Sequence, residues 1–231
     1  MKQRFMFILS TVLIAILTAV LVLVLTSIIS LVDALPLGIS LLALIVSILS
    51  SFKDELFPFQ LYVFADGLHL VRTPALPPNS DMISIVILLP VTFFNRGYSE
   101  GIVQSIRLKV IGEKSGFKHD FLPSVEVDMG AFVQQKVGLN ASNTIGTFVG
   151  FLVESKKAVK KNIVFTPLIE KGKNNVLIWQ PDIYCFGLYV QTFSEKKPKK
   201  YFEFKQEIHS GDFMILEKSN SLFFYGEWKD D

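Results

Sequence analysis

Cysteine, histidine and arginine are all scarce in this chain: one Cys, three His and four Arg among 231 residues. A single cysteine excludes an internal disulfide and fits a reducing compartment. Cys185 lies in the apolar run DIYCFGLYV, which marks it as a buried thiol and not a nucleophile. His69, His119 and His209 are far apart, and none has another His or Cys at metal-ligand spacing, so no zinc site is expected. The few arginines form no run or recognition motif, so nucleic acid is not an expected partner. No G-x-S-x-G elbow is present. The stretch IGEKSG (Ile111 to Gly116) lacks the spacing of a phosphate loop and reads as a β-turn. No cofactor is expected.

Charge is missing from one whole region. Residues Phe5 to Ile29 carry no charged side chain, and the chain is apolar again from Leu35 to Leu49. A hydrocarbon core needs about 20 apolar helical residues. These runs therefore predict a two-helix transmembrane hairpin over residues 1–52, with helices at about 5–31 and 35–52. The first run is too long for a cleavable signal peptide. Leu31, Val32, Asp33 and Ala34 would form the hairpin turn, and the serines of the second helix would bond back to their own backbone. Lys2 and Arg4 precede the first helix and Lys53 follows the second. The positive-inside rule then predicts an integral membrane protein with both ends cytoplasmic. If only one helix spans, the rest of the chain lies on the other side. No ionisable residue sits within either apolar run, which argues against a transporter.

From residue 53 to 231 the dominant period is two, the signature of strands. LYVFADGLHLV reads as two strands joined by an Asp66-Gly67 turn. MISIVILLPVTFFN is an almost wholly apolar run, as for a central strand buried on both faces, with Pro90 marking a bulge or a switch between sheets. IVQSIRLKVI alternates apolar and polar residues. Further strands are expected over FLPSVEVDM, Ile145 to Val153, Ile163 to Ile169, Val176 to Trp179, Phe213 to Leu216 and Leu222 to Trp228. A hairpin of Ile183 to Phe193 with Tyr201 to Ile208 would turn at SEKKPKK. About nine strands and no convincing helix indicate an antiparallel β-sandwich.

Within that domain, VTFFNRGYSEGIVQSIRLKV (Val91 to Val110) resembles the two-strand signature of bacterial immunoglobulin-like modules. There an apolar strand ends in Asn-x-Gly and a strand reading Ile-x-x-Ile-x-Leu-x-Val returns after a short loop. The resemblance covers about 20 residues and implies an immunoglobulin-like sandwich acting as a spacer or binding surface.

Lysine is concentrated. Ten lysines stand against four acids between Glu154 and Lys200. Lys156, Lys157, Lys160 and Lys161 form one cluster, and Lys196, Lys197, Lys199 and Lys200 form another. They are candidates for contact with anionic lipid headgroups, or else are solvated turns and strand edges. Asp120, Glu126 and Asp128 form a candidate carboxylate set, with Glu126 and Asp128 on one strand face, for calcium binding or acid–base chemistry. Asn140-Ala141-Ser142 is a formal glycosylation sequon, and Gly146-x-x-x-Gly150 marks bends in a strand. The expectation is a non-catalytic, membrane-anchored β-sandwich that presents a surface to the bilayer or to another protein. An aromatic patch around Phe193, Tyr201, Phe223 and Tyr225 would serve that reading. The alternatives are an enzyme or accessory subunit using the carboxylate set, and an extracytoplasmic spacer.

Overall fold

A computed structural model describes residues 11, 15, 18, 19, 22, 31–53, 57–74, 83–135, 139, 143–168, 177–225 and 229–230. The chain divides into two compact units. The first holds Met1–Gln60 with Gly97–Ser99, and the second holds Leu61–Arg96 with Glu100–Asp231.

In the first unit, α1 spans Leu31–Ser51. This overturns the predicted hairpin, because Leu31 to Ala34, assigned to its turn, are helical and Pro36 lies inside the helix. Nearly all of the predicted first helix, residues 5–31, lies outside the described residues. Among the described residues no helix is long and apolar enough to cross a membrane. The transmembrane assignment and the integral membrane localisation are therefore not supported. Asp33, Pro36, Gly38 and Ser40 interrupt the first half of α1, and its longest run free of Ser, Gly, Pro and charge is Leu41 to Val46. A span needs about 20 apolar residues. Ser51 does bond back, its hydroxyl donating to the Ser47 carbonyl at 2.8 Å. Further on, the Tyr98 N–H donates to the Phe57 carbonyl at 2.8 Å, and the two rings lie 5.6 Å apart.

Among the described residues, the second unit is built on one antiparallel hydrogen-bonded sheet of twelve strands, where two separate sheets were expected. In chain order these are β1 (Leu61–Ala65), β2 (Leu68–Pro74), β3 (Ile83–Asn95), β4 (Gly101–Gly112), β5 (Lys118–Val127) and β6 (Thr144–Thr147). They continue as β7 (Phe151–Val153), β8 (Ala158–Pro167), β9 (Asp182–Thr192), β10 (Lys199–Ile208), β11 (Ser221–Phe224) and β12 (Lys229–Asp230). The main path runs β11-β2-β3-β8-β5-β4-β9-β10-β12. The first half of β5 pairs with β4 and its second half with β8, with a register shift between Pro123 and Val125. A proline cannot donate to a ladder and is tolerated at such an irregularity. β5 is thus the corner at which the sheet turns over itself. Phe93 of β3 accordingly meets Phe151 of β7, a strand it does not pair with, at 5.0 Å between rings.

β3 is buried on both faces, as its unbroken apolar sequence requires. Ile87, Leu89, Val91 and Phe93 face the interior with Leu70, Ile163 and Phe165. Val86 and Leu88 face outward into a smaller cluster with Val71, Val127 and Val164, closed by Phe132 of α2 (Met129–Gln135).

The Asp66-Gly67 turn is not a hairpin. β1 and β2 both run antiparallel to β3, along the same edge, with Ala65 opposite Val91 and His69 opposite Leu88. Three residues, Asp66 to Leu68, therefore oppose Leu89 and Pro90, which makes a β-bulge. The extra residue lets Ala65 and Leu68 both face the core. A Cβ on Gly67 would lie 2.4 Å from the Phe223 ring and 2.8 Å from the Phe224 carbonyl oxygen of β11.

Other predicted elements shift. Phe213 to Leu216 belongs to helix α3 (Ser210–Ser219), not a strand. The Asp212 carboxylate accepts the His209 N–H at its start, and Asn220 ends it in the left-handed conformation. Residues 145–153 form two strands, β6 and β7, not one. Residues 177–180 are not strand. β11 ends at Phe224, and residues 226–228, at the end of the predicted last strand, lie outside the described residues.

Gly67→Ala should cost about 2 kcal/mol of unfolding free energy by overpacking against Phe223 and Phe224. Urea denaturation checks this, with Gly146→Ala, where an added Cβ meets nothing within 4 Å, as the mild control.

Candidate functional site

The predicted carboxylate set is not assembled. Asp120 pairs with Arg107 on the solvent face at 3.4 Å. Glu126 pairs with Lys161 at 2.7 Å, both largely shielded. Asp128 lies beyond the end of β5, and its Oδ1 accepts the N–H groups of Gly130 and Ala131 at 2.8 and 3.3 Å, capping α2. A register shift at Glu126 and Val127 and the end of the strand break the expected shared face. Among the described residues no group of three or more His, Cys, Asp and Glu could hold a metal.

The IGEKSG segment ends β4 and forms the β4–β5 turn, and it does cradle an anion, one supplied by the chain itself. Asp182 is buried, and its carboxylate accepts the N–H of Ser115 at 2.8 Å, of Lys114 at 3.1 Å and of Ile183 at 2.7 Å. Burial alone would raise its pKa, but the hydrogen bonds from the Ser115 side chain and backbone, Lys114 and Ile183 outweigh it and hold the group at about 2. Gly112 makes room, since a Cβ there would lie 2.5 Å from Asp182 Oδ2. Cys185 is partly buried, and burial first, then Glu203, pushes its thiol up to about 12, an inert state at neutral pH.

The aromatic set divides. Phe193 and Tyr201 lie at the β9–β10 hairpin, whereas Phe223 and Tyr225 lie at β11, the opposite end of the strand order. The Phe223 and Tyr225 rings are 4.4 Å apart. His69 packs between Phe223, at 4.3 Å, and Phe132, at 5.9 Å. Burial lowers its pKa to about 4, so the ring is neutral at pH 7.

The lysine clusters are partly dispersed and partly brought together. Lys160 faces outward toward Asp66 at 3.5 Å. Lys161 lies on the interior face, paired with Glu126 and 5.4 Å from the Phe151 ring centroid. Lys200 pairs with Glu203 at 3.3 Å, and Lys199 lies over the Tyr201 ring. The turn lysines converge. The start of β4 pairs with β7 on one side, Ile102 opposite Leu152, and on the other side Ile102 accepts the Phe193 N–H at 3.0 Å. The β7–β8 turn with Lys156 and Lys157 and the β9–β10 turn with Lys196 and Lys197 thus leave the same end of the sheet. Two inter-strand spacings, about 10 Å, separate them.

Both turns are pinned from below. Asn95, fully buried at the end of β3, donates its side-chain amide to the Glu154 and Val153 carbonyls and its N–H to the Lys157 carbonyl. This is the asparagine of the Asn-x-Gly signature. Glu195 Oε2 accepts the N–H and hydroxyl of buried Thr192 at 3.0 and 2.9 Å. Lys156 Nζ donates to the Arg96 carbonyl, and Lys157 pairs with Glu154. Among the described residues Lys196 and Lys197 have no carboxylate partner. Sequence reasoning found these lysines, and Phe193 as part of an aromatic patch, but missed Leu152 and Ile102 beside them: Phe193 is 76% exposed, Leu152 47% and Ile102 45%. Their only sequence signal was an apolar residue at a solvent-facing position of an alternating strand.

The sequon at Asn140 to Ser142 lies outside the described residues. Comparison with known proteins finds no matching family model and no matching curated protein.

The His69 environment sets a pH dependence. The folded pKa lies below the unfolded 6.5, so its contribution is complete above pH 6.5 and is lost as pH falls toward 4. Allowing for partial solvent screening, the loss is about 2 kcal/mol. Denaturant unfolding of wild type and His69→Phe across this window should show the slope in the former and a flatter profile in the latter.

Proposed function

We propose that the protein is a non-catalytic interaction module whose contact surface is the end of the β domain where the β7–β8 and β9–β10 turns flank the start of β4. One observation carries this reading. Two lysine-rich segments about forty residues apart in sequence are anchored side by side by buried Asn95 and by buried Thr192 bonded to half-buried Glu195. Anchoring of this kind lowers the ordering cost of binding. Arg96 and Glu100 with the segments Glu154 to Lys157 and Phe193 to Lys200 hold seven cations against three carboxylates, which favours an acidic partner. The enzyme reading loses its support, because the three carboxylates assigned to it are separately engaged.

A photo-cross-linking amino acid at position 193 should capture a protein partner in cells. The double variant Lys196→Glu/Lys197→Glu should reduce the adduct by about tenfold, on the scale of losing two charge contacts. Lys114→Glu, at the opposite end of β4, should leave it unchanged. Equal yields from all three proteins would refute the assignment of the surface.

A further inference from the structure

We infer that this end of the domain receives a short acidic segment of another protein, with apolar side chains seated on Leu152, Ile102 and Phe193 and carboxylates on Lys196 and Lys197. The inference rests on the functional reading above and deepens it to a partner chemistry.

Leu152, Ile102 and Phe193 lie on three adjacent chain segments and all face outward, since their neighbours Val103, Val153 and Thr192 are buried. They form an apolar row about 10 Å long across the sheet. The row runs into the β9–β10 turn, whose Lys196 and Lys197 are unpaired among the described residues. On its other side the charges are already met: Lys157 by Glu154, with Glu100 close by, and Lys156 by a backbone carbonyl. The surface is therefore polarised, apolar along the row and cationic at one end.

That pattern selects among ligands. A polyphosphate offers nothing to three apolar side chains in a row, and a nucleic acid would engage only Phe193, by base stacking, and leave Leu152 and Ile102 unmatched. An anionic bilayer surface is met by clusters of about four to eight cations, and among the described residues only Lys196 and Lys197 here have neither a hydrogen bond, an ion pair nor a ring contact. A peptide with two apolar side chains followed by carboxylates matches both the length and the charge order. Its backbone need not enter the sheet, because the row lies on the face and not along an edge.

The test uses the full chain and a short fluorescein-labelled peptide of two leucines followed by two glutamates, read by fluorescence anisotropy. Phe193→Ser and Ile102→Ser should each weaken binding by about tenfold, as expected for removing one well-buried apolar contact. Lys196→Gln/Lys197→Gln should weaken it similarly and flatten its dependence on salt. Replacing the peptide's glutamates by glutamine should reproduce the lysine effect. Urea unfolding should show the Phe193 and lysine variants as stable as wild type, because these side chains are exposed, and Ile102→Ser, at a half-covered position, slightly less stable but fully folded. If the lysine pair matters and Phe193 and Ile102 do not, the peptide inference falls and the basic-end reading stands. If neither matters, both fall. Preferential binding to phosphatidylserine vesicles through the same lysines would overturn the peptide in favour of lipid.

Discussion

Burial of β3 on both faces is the constraint from which the second unit follows. A strand with Val86 to Leu89 buried without interruption needs neighbours on both edges and cover on both sides. β1 and β2 share one edge, β8 takes the other, the folded sheet covers the interior face and α2 covers the outer one. The end of the same strand then places Asn95 beneath the β7–β8 turn. The candidate surface is thereby fixed to the most deeply buried element of the fold. Its lysines are carried on turns, yet those turns are held by the core.

The polar groups inside this domain act locally. Asp182 closes the β4–β5 turn, Glu195 closes the β9–β10 turn, and Glu126 and Lys161 neutralise each other where the sheet opens at its corner. Breaking one member of such a pair leaves a shielded charge without its partner, which costs more than the pair itself contributes. Of these residues, sequence reading gathers Glu126 into a carboxylate set and Lys161 into a lipid-facing cluster, because their types are chemically capable. Geometry assigns them to holding turns and the sheet corner.

How much was legible follows from which forces act at short range. Alternation in β4 and the apolar run of β3 gave strand identity directly, and the β9–β10 hairpin followed from two strong strands around a lysine–proline turn. Helix α3 was missed because Phe213 to Leu216 is apolar and short. Its signals were at the ends, Asp212 after His209 and Ser210 at the start and Asn220 at the stop. The predicted transmembrane hairpin failed at Leu31 to Pro36, where Asp, Ala and Pro suit a turn and a helix start alike. The single folded sheet was beyond reach, since it depends on β5 passing from β4 to β8 at Phe121, a long-range pairing with no periodic trace. Phe193 was legible as an exposed aromatic, but the row it forms with Ile102 and Leu152 was hidden, because it is decided by which strands become neighbours.

The slip in phase at Asp66 and Gly67 has a consequence for how this chain tolerates change in length. Odd-numbered residues of β1 and even-numbered residues of β2 reach the interior, and one additional residue reconciles them. Loss of a single codon there would turn Tyr62 and Phe64 inward and expel Val63 and Ala65, inverting a whole strand without altering any other side chain. Substitution at Asp66 is a local matter by comparison. In this molecule the spacing of the chain at that point is inherited information as much as the identity of its residues.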